Sequence, residues 1–182
     1  MKVVNPDINF LQATSSGCKP VLEQAGEKRC RELMDMIFHT FLPNNRVDTI
    51  VLAARWKPED LPFLKVTLSR LTEGGENVIV FGPRVEYKHD LPWILALSIL
   101  KDNMSLIDGN RRIEQKATDE LFRRELAGMN IPYFSLYQAI CADSTCRTTD
   151  DAGTPLAFDY GHFTDGGSIF IADKVKAWGG FK

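Results

Sequence analysis

Two apolar runs constrain this chain more than any other feature. Thr49-Ile50-Val51-Leu52-Ala53-Ala54 and Asn77-Val78-Ile79-Val80-Phe81-Gly82-Pro83 show no polar alternation between their ends. A strand wetted on one face alternates, whereas a strand covered on both faces does not, and burial on both faces marks a parallel sheet flanked by helices. The rest of the sequence supplies those helices. Residues 27–42 carry Leu33, Ile37, Phe38 and Phe41 at helical spacing, stopped by Pro43-Asn44-Asn45. Pro58 and Gly74-Gly75 bracket a second helix containing Leu61, Leu64, Leu68 and Leu71. Further helices are expected over residues 92–101 and, with Ile113, Ala117, Leu121 and Leu126 on an inner stripe, over residues 110–128. Additional strands are expected at residues 8–14 and 131–135. Thr164 caps a last helix, with Asp165 at its positive end. Strands alternating with helices predict a three-layer α/β domain with a mainly parallel sheet. With 182 residues, 44% of them hydrophobic, one such domain accounts for the chain.

Composition excludes several classes. The net charge is −2, and Lys and Arg are interspersed with acids, so no electrostatic footprint for nucleic acid is present. No apolar run approaches the ~20 residues that span a bilayer. The opening Met1-Lys2-Val3-Val4-Asn5-Pro6-Asp7 lacks the apolar core of a signal peptide. The cysteines point elsewhere. Neither Cys18/Cys30 nor Cys141/Cys146 has Cys-x-x-Cys spacing, and the three histidines are far apart, so no metal site is expected. Four cysteines allow three pairings; the local one, Cys18–Cys30 with Cys141–Cys146, is the simplest. Disulfides imply folding outside the cytoplasm. Four ordinary thiols are the alternative; if the disulfides form, the missing export address leads to the expectation that an exporting segment belongs upstream.

In a parallel α/β sheet the reactive loops sit at the carboxyl ends of the strands. Four segments are expected there: Ser15-Ser16-Gly17, Arg55-Trp56, Gly82-Pro83 and Asp159-Tyr160-Gly161-His162. The last carries the sharpest chemistry. An Asp three residues before a His can take the N–H of one ring nitrogen and leave the other to accept a proton from a nucleophile. Gly17 can bring a backbone N–H to a developing oxyanion, and Arg55 can hold an anionic group or donate to an acyl oxygen. Trp56 can stack on a sugar. Ser15 and Ser16 end a strand near this region, but no Gly-x-Ser-x-Gly elbow surrounds them and turn chemistry explains them equally well. Glu86-Tyr87-Lys88-His89-Asp90 reads as a solvated loop outside the site.

The block Asp159-Tyr160-Gly161-His162-Phe163-Thr164-Asp165-Gly166-Gly167-Ser168 resembles the last block of the SGNH hydrolase family. More narrowly, the chain is similar to the SGNH domain fused behind the membrane acyltransferase-three domain of bacterial O-acyltransferases. Three other stretches carry that likeness in order: residues 11–20, residues 50–56, and Val80-Phe81-Gly82-Pro83 followed by Tyr87 and Asp90-Leu91-Pro92. The resemblance implies a flavodoxin-like α/β fold and acyl-ester chemistry by Ser, His and Asp, with His162 as general base, Asp159 as its orienter and Gly17 near the oxyanion hole. It also implies an acyl donor, an envelope saccharide such as O-antigen as acceptor, no cofactor, and a membrane acyltransferase domain as partner. The domain would then face the periplasm from the inner membrane.

Two departures qualify the likeness. No Gly-Asp-Ser occurs in the sequence, so the block that holds the nucleophile is missing. It belongs one strand and one helix before Ile8, and the chain is therefore expected to be an N-terminally truncated SGNH domain lacking its first strand and inactive alone. Where the family offers an oxyanion Asn, this chain reads Ala54-Arg55-Trp56. Two alternatives stand beside the acyltransferase reading: a non-catalytic saccharide-binding or assembly domain, and a free-standing esterase using Ser15 or Ser16.

Overall fold

The structure, a computed structural model, describes residues 9–22, 26–142 and 145–181. Three parallel strands form its sheet in the order β1 (Ile50–Ala53), β2 (Val78–Phe81), β3 (Tyr133–Phe134). Ile50 pairs with Val78 and Ala53 with Phe81, while Val80 pairs with Tyr133 and Phe81 with Phe134. Ahead of the sheet, α1 (Lys28–Asp35) runs through a π-helical turn (Met36–Phe41) into α2 (Leu42–Asn44). Between and after the strands come α3 (Leu61–Glu73), α4 (Leu91–Leu100), α5 (Ser105–Asn110), α6 (Glu114–Ala127), α7 (Leu136–Ile140) and α8 (Asp165–Trp178). A short hairpin of β4 (Cys141–Ala142) and β5 (Thr145–Cys146) follows α7.

Side-chain alternation along the strands divides the core into two. Leu52, Val78 and Val80 meet Met34 and Phe38, Leu64, Leu68 and Leu71 of α3, and Phe122 and Leu126 of α6. On the other face Phe81 and Phe134 meet Leu91 and Ile94 of α4, Tyr137 and Ile140 of α7, and Ile171 and Val175 of α8. Helices on both faces of a parallel sheet make the three layers that the apolar runs predict. Both disulfides follow the local pairing: Cys18–Cys30 ties the leading segment to α1, and Cys141–Cys146 closes the β4–β5 hairpin.

Three expectations differ from the structure. Residues 9–14 form no strand, and Phe10 and Leu11 are 50% and 71% exposed; Ile8 lies outside the described residues. A strand exists only where a neighbour takes its backbone donors and acceptors, and among the described residues β1 is paired on one side only. The helix expected over residues 110–128 is interrupted at residues 111–113. There the backbone turns aside to bridge Arg111 to Tyr87, and Arg112 N–H donates to the Glu86 carbonyl at 2.8 Å. The inner stripe of α6 is accordingly Thr118, Asp119, Phe122 and Leu126, with Leu121 half-buried and Ile113 and Ala117 exposed.

α8 starts as the sequence predicts. The Thr164 hydroxyl accepts from Gly167 N–H at 3.1 Å and donates to the Pro155 carbonyl at 2.8 Å, fixing the helix to the strand-like segment before the 157–163 loop. Gly167 is required by packing: a Cβ there would lie 2.1 Å from the Leu156 carbonyl oxygen, a backbone atom that cannot swing away. Gly167→Ala is expected to cost about 1–3 kcal/mol as overpacking. At this chain length the loss should read as a Tm lowered by roughly 2–12 °C in a thermal melt.

Candidate active site

The carboxyl ends of β1 and β2 and the 157–163 loop build the site. Phe158 N–H donates to the His162 carbonyl at 2.9 Å and Ala157 bridges Phe163, so residues 157–163 form a narrow hairpin. Tyr87 N–H donates to the Tyr160 carbonyl (2.8 Å) and Leu91 N–H to the Asp159 carbonyl (3.1 Å), which moors the hairpin to the loop that follows β2. Asp159 uses both oxygens. Oδ1 accepts from the backbone N–H of Gly161 at 2.8 Å and of His162 at 2.7 Å, while Oδ2 meets His162 Nδ1 at 2.6 Å. A carboxylate is acceptor-only, so Nδ1 carries a proton, and in the neutral ring Nε2 then presents its lone pair. No hydrogen bond among the described residues occupies Nε2, and the His162 side chain is 50% exposed. Phe158 stacks on the imidazole at 5.8 Å between centroids, and Tyr160 meets it edge-on at 5.4 Å.

Burial alone would raise the Asp159 pKa, but the N–H groups of His162 and Gly161 and the His162 ring outweigh it and hold the carboxyl at about 2. A carboxyl whose pKa is depressed by folding stabilises the fold above its unfolded value of about 3.9, and this contribution disappears as pH falls through the folded pKa. Asp159→Asn should therefore melt below the parent at pH 6, and the two melting curves should converge as pH is lowered from about 4 to 2. A gap of constant size across that range would show that the carboxylate is not held as described.

A second charged group lies beside the pair. Arg55, two residues beyond β1, donates from Nε and Nη2 to Glu86 Oε1 and Oε2 at 2.7 and 2.6 Å. Its guanidinium also covers the Tyr160 ring at 5.3 Å. The bidentate bond to Glu86 raises the Arg55 pKa. Glu86 is 1% exposed, which corrects its assignment to a solvated loop; Tyr87 beside it is buried as well. The sequence hid this because a buried Glu looks like any loop acid until its partner, 31 residues earlier, is brought to it. Arg84 lies beneath the hairpin. A Cβ on Gly161 would sit 2.8 Å from Arg84 Nε, so glycine lets the guanidinium tuck under the turn. Burial pushes the Arg84 pKa down, against the pull of Glu86, Tyr160 and Asp159, and its Nε has no hydrogen-bond partner among the described residues.

The structure thus brings together Asp159, His162 and, through Tyr160, Arg55. It does not bring Trp56 to them as a stacking surface. Trp56 is 1% exposed, donates from Nε1 to the Phe81 carbonyl at 2.8 Å and packs against Phe122, so its ring belongs to the core. Gly17 has φ +74° in an exposed turn closed by Cys18 N–H on the Ser15 carbonyl. Ser15 Oγ accepts from Arg29 at 2.8 Å. No hydrogen bond among the described residues joins Ser15, Ser16 or Gly17 to the Asp159/His162 pair.

Comparison with known proteins bears on the fold and the family. No curated protein matches the chain by sequence. The solved periplasmic domain of a lipopolysaccharide acetyltransferase from Salmonella ser. Paratyphi A superposes with a TM-score of 0.72 at 23% sequence identity, covering 88% of this chain and 68% of that one. At that identity the likeness establishes a shared fold. The family profile described as "SGNH domain (fused to AT3 domains)" matches residues 4–177, nearly the whole sequence, and the chain belongs to that family.

Proposed function

We propose that this chain supplies the His–Asp half of an acyl-transfer site in a bacterial envelope protein, moving or hydrolysing acyl groups, typically acetyl, on cell-surface polysaccharide. The observation that carries the proposal is the 2.6 Å contact from Asp159 to His162 Nδ1, which leaves Nε2 unoccupied. A His oriented in this way is a general base in search of a nucleophile. No Gly-Asp-Ser occurs in the chain, so the serine comes from a further segment, and the chain alone is inactive. The half-paired edge of β1, next to Arg55, is where such a segment would add to the sheet. Arg55, held by Glu86 and still half-exposed, is placed to donate to an acyl oxygen in the position of the family's Asn. Gly17 would contribute a backbone N–H only if the added segment draws its turn toward the site.

The family's fusion to AT3 domains favours a membrane acyltransferase domain as the acyl donor's source, with this domain on the periplasmic side. The two disulfides fit an oxidising compartment. Among the described residues no helix is long and apolar enough to cross a membrane. The test compares the 182-residue chain with the same chain joined to a Gly-Asp-Ser segment. Only the joined protein should hydrolyse p-nitrophenyl acetate and take a fluorophosphonate label on serine. Labelling of the chain alone, lost in a Ser15/Ser16 double alanine variant, would overturn the proposal in favour of a free-standing esterase.

A further inference from the structure

Tyr160 also lines a cleft of about 610 Å³, whose lining does not include Asp159 or His162. Its volume falls within the ~300–1,000 Å³ common for small-ligand sites. Arg55, Lys88, Arg112, Asp90, Trp93 and Tyr160 line it. The charges there do not cancel. Arg55 is answered by Glu86, but Lys88 donates to the Gly109 carbonyl at 2.9 Å and Arg112 Nε to the Tyr87 carbonyl at 3.1 Å, both neutral acceptors. Among the described residues Asp90 is the one carboxylate in the lining, so two cations face one anion. Lys88 keeps two further protons to donate, and no hydrogen bond among the described residues uses the terminal nitrogens of Arg112.

The aromatic wall is Trp93, 53% exposed on the first turn of α4 and braced by His89 at 5.3 Å. A large indole half in water beside unspent cations suits a ligand with an apolar face and an anionic edge. A pyranose ring carrying a carboxylate or phosphate has both. We propose that this cleft binds an anionic saccharide, with Trp93 against the ring and Lys88 and Arg112 on its charge. Resting on the acyl-transfer reading, the inference identifies this saccharide as the acceptor, because the Tyr160 ring that borders the cleft also contacts His162 at 5.4 Å. Trp93 then takes the stacking role for which the sequence suggested Trp56.

Calorimetry of the 182-residue chain with tetragalacturonate and its fully methyl-esterified counterpart tests this, with a hexose phosphate run in parallel. One of the anionic sugars should bind, the neutral ester about tenfold or more weakly, since a hydrogen bond to a charged group is the difference. Rising salt should weaken the anionic complex. Trp93→Ala and Lys88→Ala should each reduce affinity about tenfold without lowering the Tm, as both side chains are on the surface. Equal affinity for acid and ester, binding indifferent to both substitutions, or no binding of either anion would each overturn the proposal. Acyl chemistry is read separately, on the serine-bearing protein. Anion binding without turnover would uphold the cleft while removing the acyl chemistry, and turnover without anion binding would do the reverse.

Discussion

In the protein joined to its serine-bearing segment, His162→Ala is expected to lower kcat for an activated acetyl ester by about 10⁴-fold or more, the loss typical of a triad base. The neighbours are poor substitutes. In that variant the Gly161 and His162 backbone N–H groups still hold Asp159 Oδ1 and keep its carboxyl a weak base, and Arg55 is engaged by Glu86. Asp159→Asn should cost about 10³–10⁴-fold, for a reason visible in its hydrogen bonds. The amide has one acceptor oxygen, and the Gly161 and His162 N–H groups at 2.8 and 2.7 Å claim it. Its NH₂ then faces Nδ1, which must become the acceptor, and the ring proton moves to Nε2. A protonated Nε2 cannot take a proton from serine. The two substitutions therefore predict different residues of activity from one geometry, and His162→Ala within tenfold of the parent would remove the assignment.

Most of the frame was legible because it rests on local patterns. The apolar runs named β1 and β2, Thr164 named the start of α8, and the Asp-x-x-His spacing named the pair, each within a few residues of chain. What was not legible depends on distant partners. Residues 9–14 have the composition of a strand and make none, since composition does not provide a neighbouring strand. Residues 111–113 leave the helical path because Glu86 and Tyr87 offer their backbone to them. The ion pair of Arg55 with Glu86 joins positions 31 apart in sequence. Arg55-Trp56 shows the limit within two residues: from sequence both were placed at the site, yet in an extended segment adjacent side chains point in opposite directions. Arg55 faces the Tyr160 ring and Trp56 faces Phe122.

That opposition makes Trp56→Ala the largest expected loss of stability. The residue is among the largest fully buried side chains, and truncating a buried Trp costs about 3–5 kcal/mol once the cavity is counted. At this chain length a Tm lower by roughly 6–20 °C is expected. The lost hydrogen bond to the Phe81 carbonyl adds to this, because that carbonyl lies at the end of β2. Trp56→Phe separates the two effects: it keeps most of the ring contact with Phe122, removes the donor, and should cost nearer 1–3 kcal/mol. Trp93→Ala, on the surface, should remain within about 0.5 kcal/mol of the parent. If Trp56 instead lay on a ligand, the order would reverse, with Trp56→Ala silent in the melt and visible only in saccharide binding. The site should feel the core loss as well. Trp56 is the neighbour of Arg55, so a void beneath it loosens the backbone that aims the guanidinium at Glu86, and activity in the joined protein should fall by more than the unfolded fraction explains.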